Sequence, residues 1–99
     1  MGMERRRHAE RRSIDAAAAY AREQGFQTRE KDMRDIDGTV KLELSGHGEL
    51  YEVYYKEHPD TGYWRFDYGF VHDDHGGGDL VRTWRWMRFH ISRPAPPDI

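Results

Sequence analysis

The chain has 99 residues, enough for one domain and one hydrophobic core. It is 36 % hydrophobic and 34 % charged with a net charge of −2, a balance near disorder that concentrated aromatic runs pull back toward a folded domain. It has no cysteine, which excludes disulfides and thiolate chemistry and fits a reducing cytoplasm, and no apolar run long enough for a membrane span or a signal-peptide core.

Met1-Gly2-Met3 looks like an expression remnant ahead of a native start. Residues 4–93 then read as one α+β domain, with a Pro-rich tail over 94–99. Residues 4–24 are rich in Ala, Arg and Glu and predict a helix. Ser13 could cap a shorter version, with Asp15 in its first turn. Gly25 and Phe26 supply the left-handed and hydrophobic positions of a helix end. The inward stripe is Ile14, Ala17, Ala18 and Ala21, with Tyr20 at its margin. Such small residues suit close packing on a sheet.

Residues 27–37 are polar, with a short edge strand over 26–30 and then a loop. Asp37-Gly38 signals a turn. Thr39 to Leu44 alternates, with Val40, Leu42 and Leu44 on one face. Residues 45–48 turn the chain into a strand over 50–57 that places Tyr51, Val53 and Tyr55 together. His58-Pro59-Asp60-Thr61-Gly62 is a hairpin loop. Tyr63 to Val71 predicts a strand with Trp64, Phe66, Tyr68 and Phe70 on one face. Residues 80–92 fit a helical stripe through Leu80, Val81, Trp84, Met87 and Ile91, with Asp79 as its cap. Their Val, Thr, Trp, Phe and Ile content favours a fifth strand instead. That strand would place Val81, Met87, Phe89 and Ile91 on one face and Arg82, Trp84, Trp86, Arg88 and His90 on the other.

The expected fold is therefore one N-terminal helix packed on a four- or five-stranded antiparallel meander. Its core is expected to hold Trp64, Phe66, Tyr68, Phe70, Val40, Leu42, Val53 and Phe89.

Charge is segregated. Residues 32–79 carry twelve acids against four bases, while both ends are rich in Arg. Either the ends fold back on the acidic middle, or that middle forms an acidic face that blocks a basic, nucleic-acid-binding partner. The residues assigned to binding are Glu49, Glu52, Asp60, Asp73, Asp74, Asp79, Trp84, Trp86 and Arg88. Surplus aromatic surface at Trp84 and Trp86 also predicts a homodimer.

Other chemistry is sparse. His72-Asp73-Asp74-His75, with His47 at the same end of a meander, has metal-ligand residue types but no ligand spacing, and no metal is expected there. His58 and His90 would meet at the other end. The Trp84–His90 segment has the composition of a stacking platform for unpaired bases, which makes a single-stranded nucleic-acid binder the alternative. Tyr68-Gly69-Phe70-Val71 overlaps part of an RNA-binding sheet signature. Phe66, Asp67 and Asp73 break that signature, and the overlap reads as strand composition. A small metal-independent nuclease built on Glu52, Arg65, Arg85 and His90 is a further alternative. No catalytic residue and no cofactor is assigned. The expectation is a non-enzymatic interaction module of the kind found among phage and mobile-element accessory proteins that inhibit host defence.

Overall fold

A computed structural model describes residues 11–94. Outside them lie Met1-Gly2-Met3, the first part of the expected helix and the tail beyond Pro94. Helix α1 (Arg12–Glu23) buries Ile14, Ala17 and Ala21. Ser13 lies inside the helix and caps nothing; its hydroxyl donates to the Trp64 carbonyl at 2.5 Å. The helix ends as its sequence predicts. Gly25 sits at φ +88°, its N–H reaches the Arg22 carbonyl, and the Phe26 N–H reaches that of Ala21. These two bonds are a Schellman motif, and Phe26 supplies its buried apolar residue.

Strand β1 (Gln27–Met33) follows, longer than expected, and the residues after it form a single helical turn, α2 (Arg34–Asp37), closed by Gly38 at φ +72°. Strand β2 (Thr39–Gly46) joins β3 (Glu49–Glu57) through His47 and Gly48, both at positive φ. That is the two-residue turn whose twist matches antiparallel strands. Strands β4 (Trp64–His72) and β5 (Gly78–Val81) complete an antiparallel sheet in the order β1-β2-β3-β4-β5. The outer strands differ. β1 carries Arg29, Glu30, Lys31 and Asp32 in succession, and β5 is four residues long.

The expected fifth strand over residues 80–92 is corrected. Pairing stops at Val81, and Trp84–Ile91 forms helix α3. Thr83 caps it, its hydroxyl accepting from the Trp86 N–H at 3.2 Å. The strand propensity of Trp, Phe and Ile is overridden by this cap and by burial of Met87 and Ile91 at helical spacing. Phe89, expected in the core, is 72 % exposed.

The aromatic face of β4 is also corrected. Tyr55 pairs with Phe66 and Tyr54 with Tyr68, so Asp67 is an extra residue opposite no partner. This β-bulge switches the alternation. Trp64 and Phe66 face the core. Beyond the bulge, Gly69 and Val71 face it, opposite Val53 and Tyr51, while Tyr68 and Phe70 turn outward beside Tyr54 and Glu52.

The core joins Ile14, Ala17 and Ala21 of α1 and Met87 and Ile91 of α3 to Val40, Leu42, Leu44, Tyr51, Val53, Tyr55 and Val81. Both helices thus lie on one face of the sheet. Among the described residues no helix covers the other.

Candidate functional site

Two surfaces stand out, one on each side of the sheet. The first is the outer side of α3. Helical spacing that buries Met87 and Ile91 turns Trp86 and Phe89 to solvent, 60 % and 72 % exposed. Their rings meet edge to face at 5.8 Å. Asp79, Leu80, Arg82, Trp86 and His90 line a shallow groove beside them. Trp84 does not join this patch. It is half-buried, packed edge-on against Tyr20 at 6.2 Å. Arg88 lies over the same Tyr20 ring at 4.6 Å. Of the three α3 residues assigned to binding, Trp86 is displayed, while Trp84 and Arg88 pack on Tyr20.

The second surface is the open face of the sheet. Tyr54 and Tyr68, directly paired, stack at 4.5 Å with planes 14° apart. Phe70 stands edge-on to His72 at 4.8 Å. Gly78 permits this, since any β-carbon there would collide with the Phe70 ring. Glu52 sits at the centre. It accepts from the His72 imidazole, from Lys41 Nζ at 3.1 Å and from the Tyr54 hydroxyl at 3.1 Å. Burial pushes the Glu52 carboxyl up, but the His72, Lys41 and Tyr54 bonds outweigh it and hold the group below its ordinary value. Burial and the neighbouring Glu52 carboxylate together push the Tyr54 phenol up to about 12.

The acids assigned to binding do not form one projecting face. Glu49 is held by Arg93 and the Tyr51 hydroxyl. Glu52 is held as described. Asp73 accepts from the His75 and Gly77 N–H groups and shapes its own loop. Glu49, Asp73 and Asp74 line a common groove at the β2–β3 end, while Asp60 lies in the β3–β4 loop at the opposite end. Among the described residues, Asp60, Asp74 and Asp79 make no side-chain ion pair or hydrogen bond, and all three are exposed.

Neither His pairing expected from a meander is assembled. His47 donates to the Gln24 carbonyl at 2.7 Å and packs on Phe26. His90 faces Tyr51 on α3, far from the His58 loop, because its segment is helical. Among the described residues no group of three His, Asp or Glu side chains converges to hold a metal. The nuclease set also separates: Glu52 and Arg65 face the open side of the sheet, while Arg85 and His90 ride on α3 behind it. Glu52 meets His72 instead. The Glu52–His72 contact was hidden in the sequence because the register that joins them depends on the bulge at Asp67.

A cleft between α1 and β1 is lined by two self-paired sets of charge, Arg11 with Glu30 and Arg34 with Asp32. Among the described residues no helix is long and apolar enough to cross a membrane. No known protein family, no curated protein and no solved structure matches this chain.

Proposed function

We propose that the protein is a small non-enzymatic interaction module that docks on a protein partner through the outer side of α3. The observation that carries this reading is the exposed pair Trp86 and Phe89. Two large rings at i and i+3 on a helix are the anchors of a helix-in-groove or face-to-face contact, and aromatic anchors dominate interface energetics. Asp79 borders the pair, with Arg82 in the same groove, and Asp74 is exposed in the loop that leads into β5, at the β2–β3 end of the sheet. The two carboxylates offer contacts to basic groups of a partner whose apolar pocket takes the rings. An inhibitor that covers a nucleic-acid-binding protein, acting in the cytoplasm for a phage or mobile element, is a role consistent with that chemistry. A second copy of the chain is the simplest partner to test.

Sedimentation of the purified protein, and affinity capture from its native host, test this reading together. Wild-type protein is expected to pair with itself or to retain a specific partner, and Trp86→Ala/Phe89→Ala to abolish that while melting normally. Asp74→Lys/Asp79→Lys should weaken capture of a basic partner, and rising salt should slow association. A monomer that captures no partner, or captures it equally well without the two rings, refutes the proposal.

A further inference from the structure

On the face away from α3, the side chains of the sheet form a pattern that internal stability does not explain. Lys56 and Arg65 are directly paired across β3 and β4. Like charges in that position destabilise a sheet. Among the described residues neither has an ion-pair partner, and both are exposed. Lys31 and Lys41 form a second such pair across β1 and β2. There, Glu43 and Glu52 reach Lys41 at 3.1 Å and neutralise it. Among the described residues no ion pair relieves Lys56 and Arg65. Two opposed cations without an ion-pair partner offer a site for an anion.

The pair lies next to the aromatic stack. Tyr54 is two residues from Lys56 on β3, and Tyr68 is the outward neighbour of Arg65 across the bulge on β4. The Tyr54 ring occupies one side of Tyr68. On the other side no strand among the described residues lies beside it, because β5 ends at Val81, opposite Gly69, and the chain continues through Arg82 and Thr83 into α3. A flat ring can therefore extend the stack at the point where the sheet narrows. Phe70 stands further along the same face, near Leu80, which is 52 % exposed. The carboxylates that act on Tyr68 are Asp67, Asp37 and Glu52. Glu52 is paired with Lys41, whereas Asp37 accepts only from the N–H and hydroxyl of Thr39, which leave its charge intact, so among the described residues Asp37 and Asp67 are the carboxylates of these three without an ion pair.

We infer that the open face of the sheet binds single-stranded nucleic acid. A base stacks on the free side of Tyr68, its phosphate lies between Lys56 and Arg65, and Arg29 and Lys31 on β1 extend the basic track. Aromatic rings beside fixed cations on an accessible sheet are what unpaired nucleotides require, because every base offers a π-face and every linkage a charge. A duplex hides its base faces and gains only the charge. This site is independent of α3 and lies behind it, so the protein would hold a strand on one face and a protein on the other.

Fluorescence anisotropy with labelled oligouridylate and oligothymidylate of about twelve nucleotides tests this at low salt. At least one strand should bind better than a duplex of equal length. Tyr68→Ala should weaken binding by roughly 5- to 100-fold, the loss of one stacked base. Tyr68→Phe should retain it, which separates stacking from misfolding. Lys56→Glu/Arg65→Glu should lower affinity and flatten the salt dependence. Trp86→Ala should leave binding unchanged. Preference for oligouridylate would identify RNA as the ligand, preference for oligothymidylate would identify DNA, and equal binding would mean that the site reads bases and phosphates alone. Absence of binding to both strands, duplex binding as tight as single-strand binding, or insensitivity to Tyr68→Ala would overturn the inference.

Discussion

The terminal methyl of Met87 lies against Gly69, in space that any β-carbon at position 69 would occupy. Helix α3 is seated on the sheet through this contact. Both residues are buried, Met87 completely. Gly69→Ala should therefore destabilise the fold by about 1–3 kcal/mol through overpacking, and Met87→Ala by about 2–5 kcal/mol through the cavity it leaves. The double variant should cost less than the sum by at least about 0.5 kcal/mol, since the shorter side chain makes room for the new methyl. Urea unfolding of the four proteins checks this. Additive costs would mean that α3 is seated elsewhere.

Deleting Asp67 should be tolerated. The residue is the surplus member of the β-bulge, so its loss leaves Phe66 facing inward and Tyr68 outward on a regular strand. Were the alternation of β4 unbroken, the same deletion would reverse every residue after it. Near-UV circular dichroism of the deletion protein distinguishes the two cases: a retained tryptophan signal supports the bulge.

The Glu52 cluster should set both ends of the pH–stability curve. The folded Glu52 pKa lies below its ordinary 4.5, so its contribution is complete above that value and disappears as pH falls through the folded one. Tyr54 is shifted the other way, from 10.0 up to about 12, so its contribution is complete below pH 10 and disappears as pH rises toward 12. Glu52→Gln should flatten the acid limb and Tyr54→Phe the alkaline limb. Unchanged limbs in thermal melts across pH would refute the linkage.

Tyr55 is 1 % exposed, and its hydroxyl has no hydrogen-bond partner among the described residues. A buried polar group in that state costs free energy that its removal returns. Tyr55→Phe should melt at the wild-type temperature or above it. A drop equivalent to about 1 kcal/mol or more would show that the hydroxyl is satisfied after all.

Much of this architecture could be read from local pattern. Gly25 and Phe26 marked the end of α1, and His47-Gly48 lay inside a marked turn. Val40, Leu42 and Leu44 alternated into the core as β2 required. The failures share a physical cause. An extra residue at Asp67 leaves no trace in composition, yet it moved Tyr68 and Phe70 from core to surface. Residues 84–91 have strand propensity, and what makes them helical is a cap at Thr83 together with a socket at Gly69 on β4, remote from them in the chain. Among the site residues, Trp86 was legible as surplus aromatic surface. The Arg93–Glu49 pair is the folding back of a basic end that the charge segregation allowed, whereas the contact of Glu52 with His72 was not legible, because it depends on the register beyond the bulge.

A sheet grows into a fibril by adding strands at its margins. Here one margin presents Arg29, Glu30, Lys31 and Asp32 in succession, and the other ends after four residues, where the chain turns away into α3. A neighbouring copy laid along β1 would have to align four alternating charges. Along β5 it would find too few bonds to hold it. Both margins therefore disfavour strand addition among the described residues.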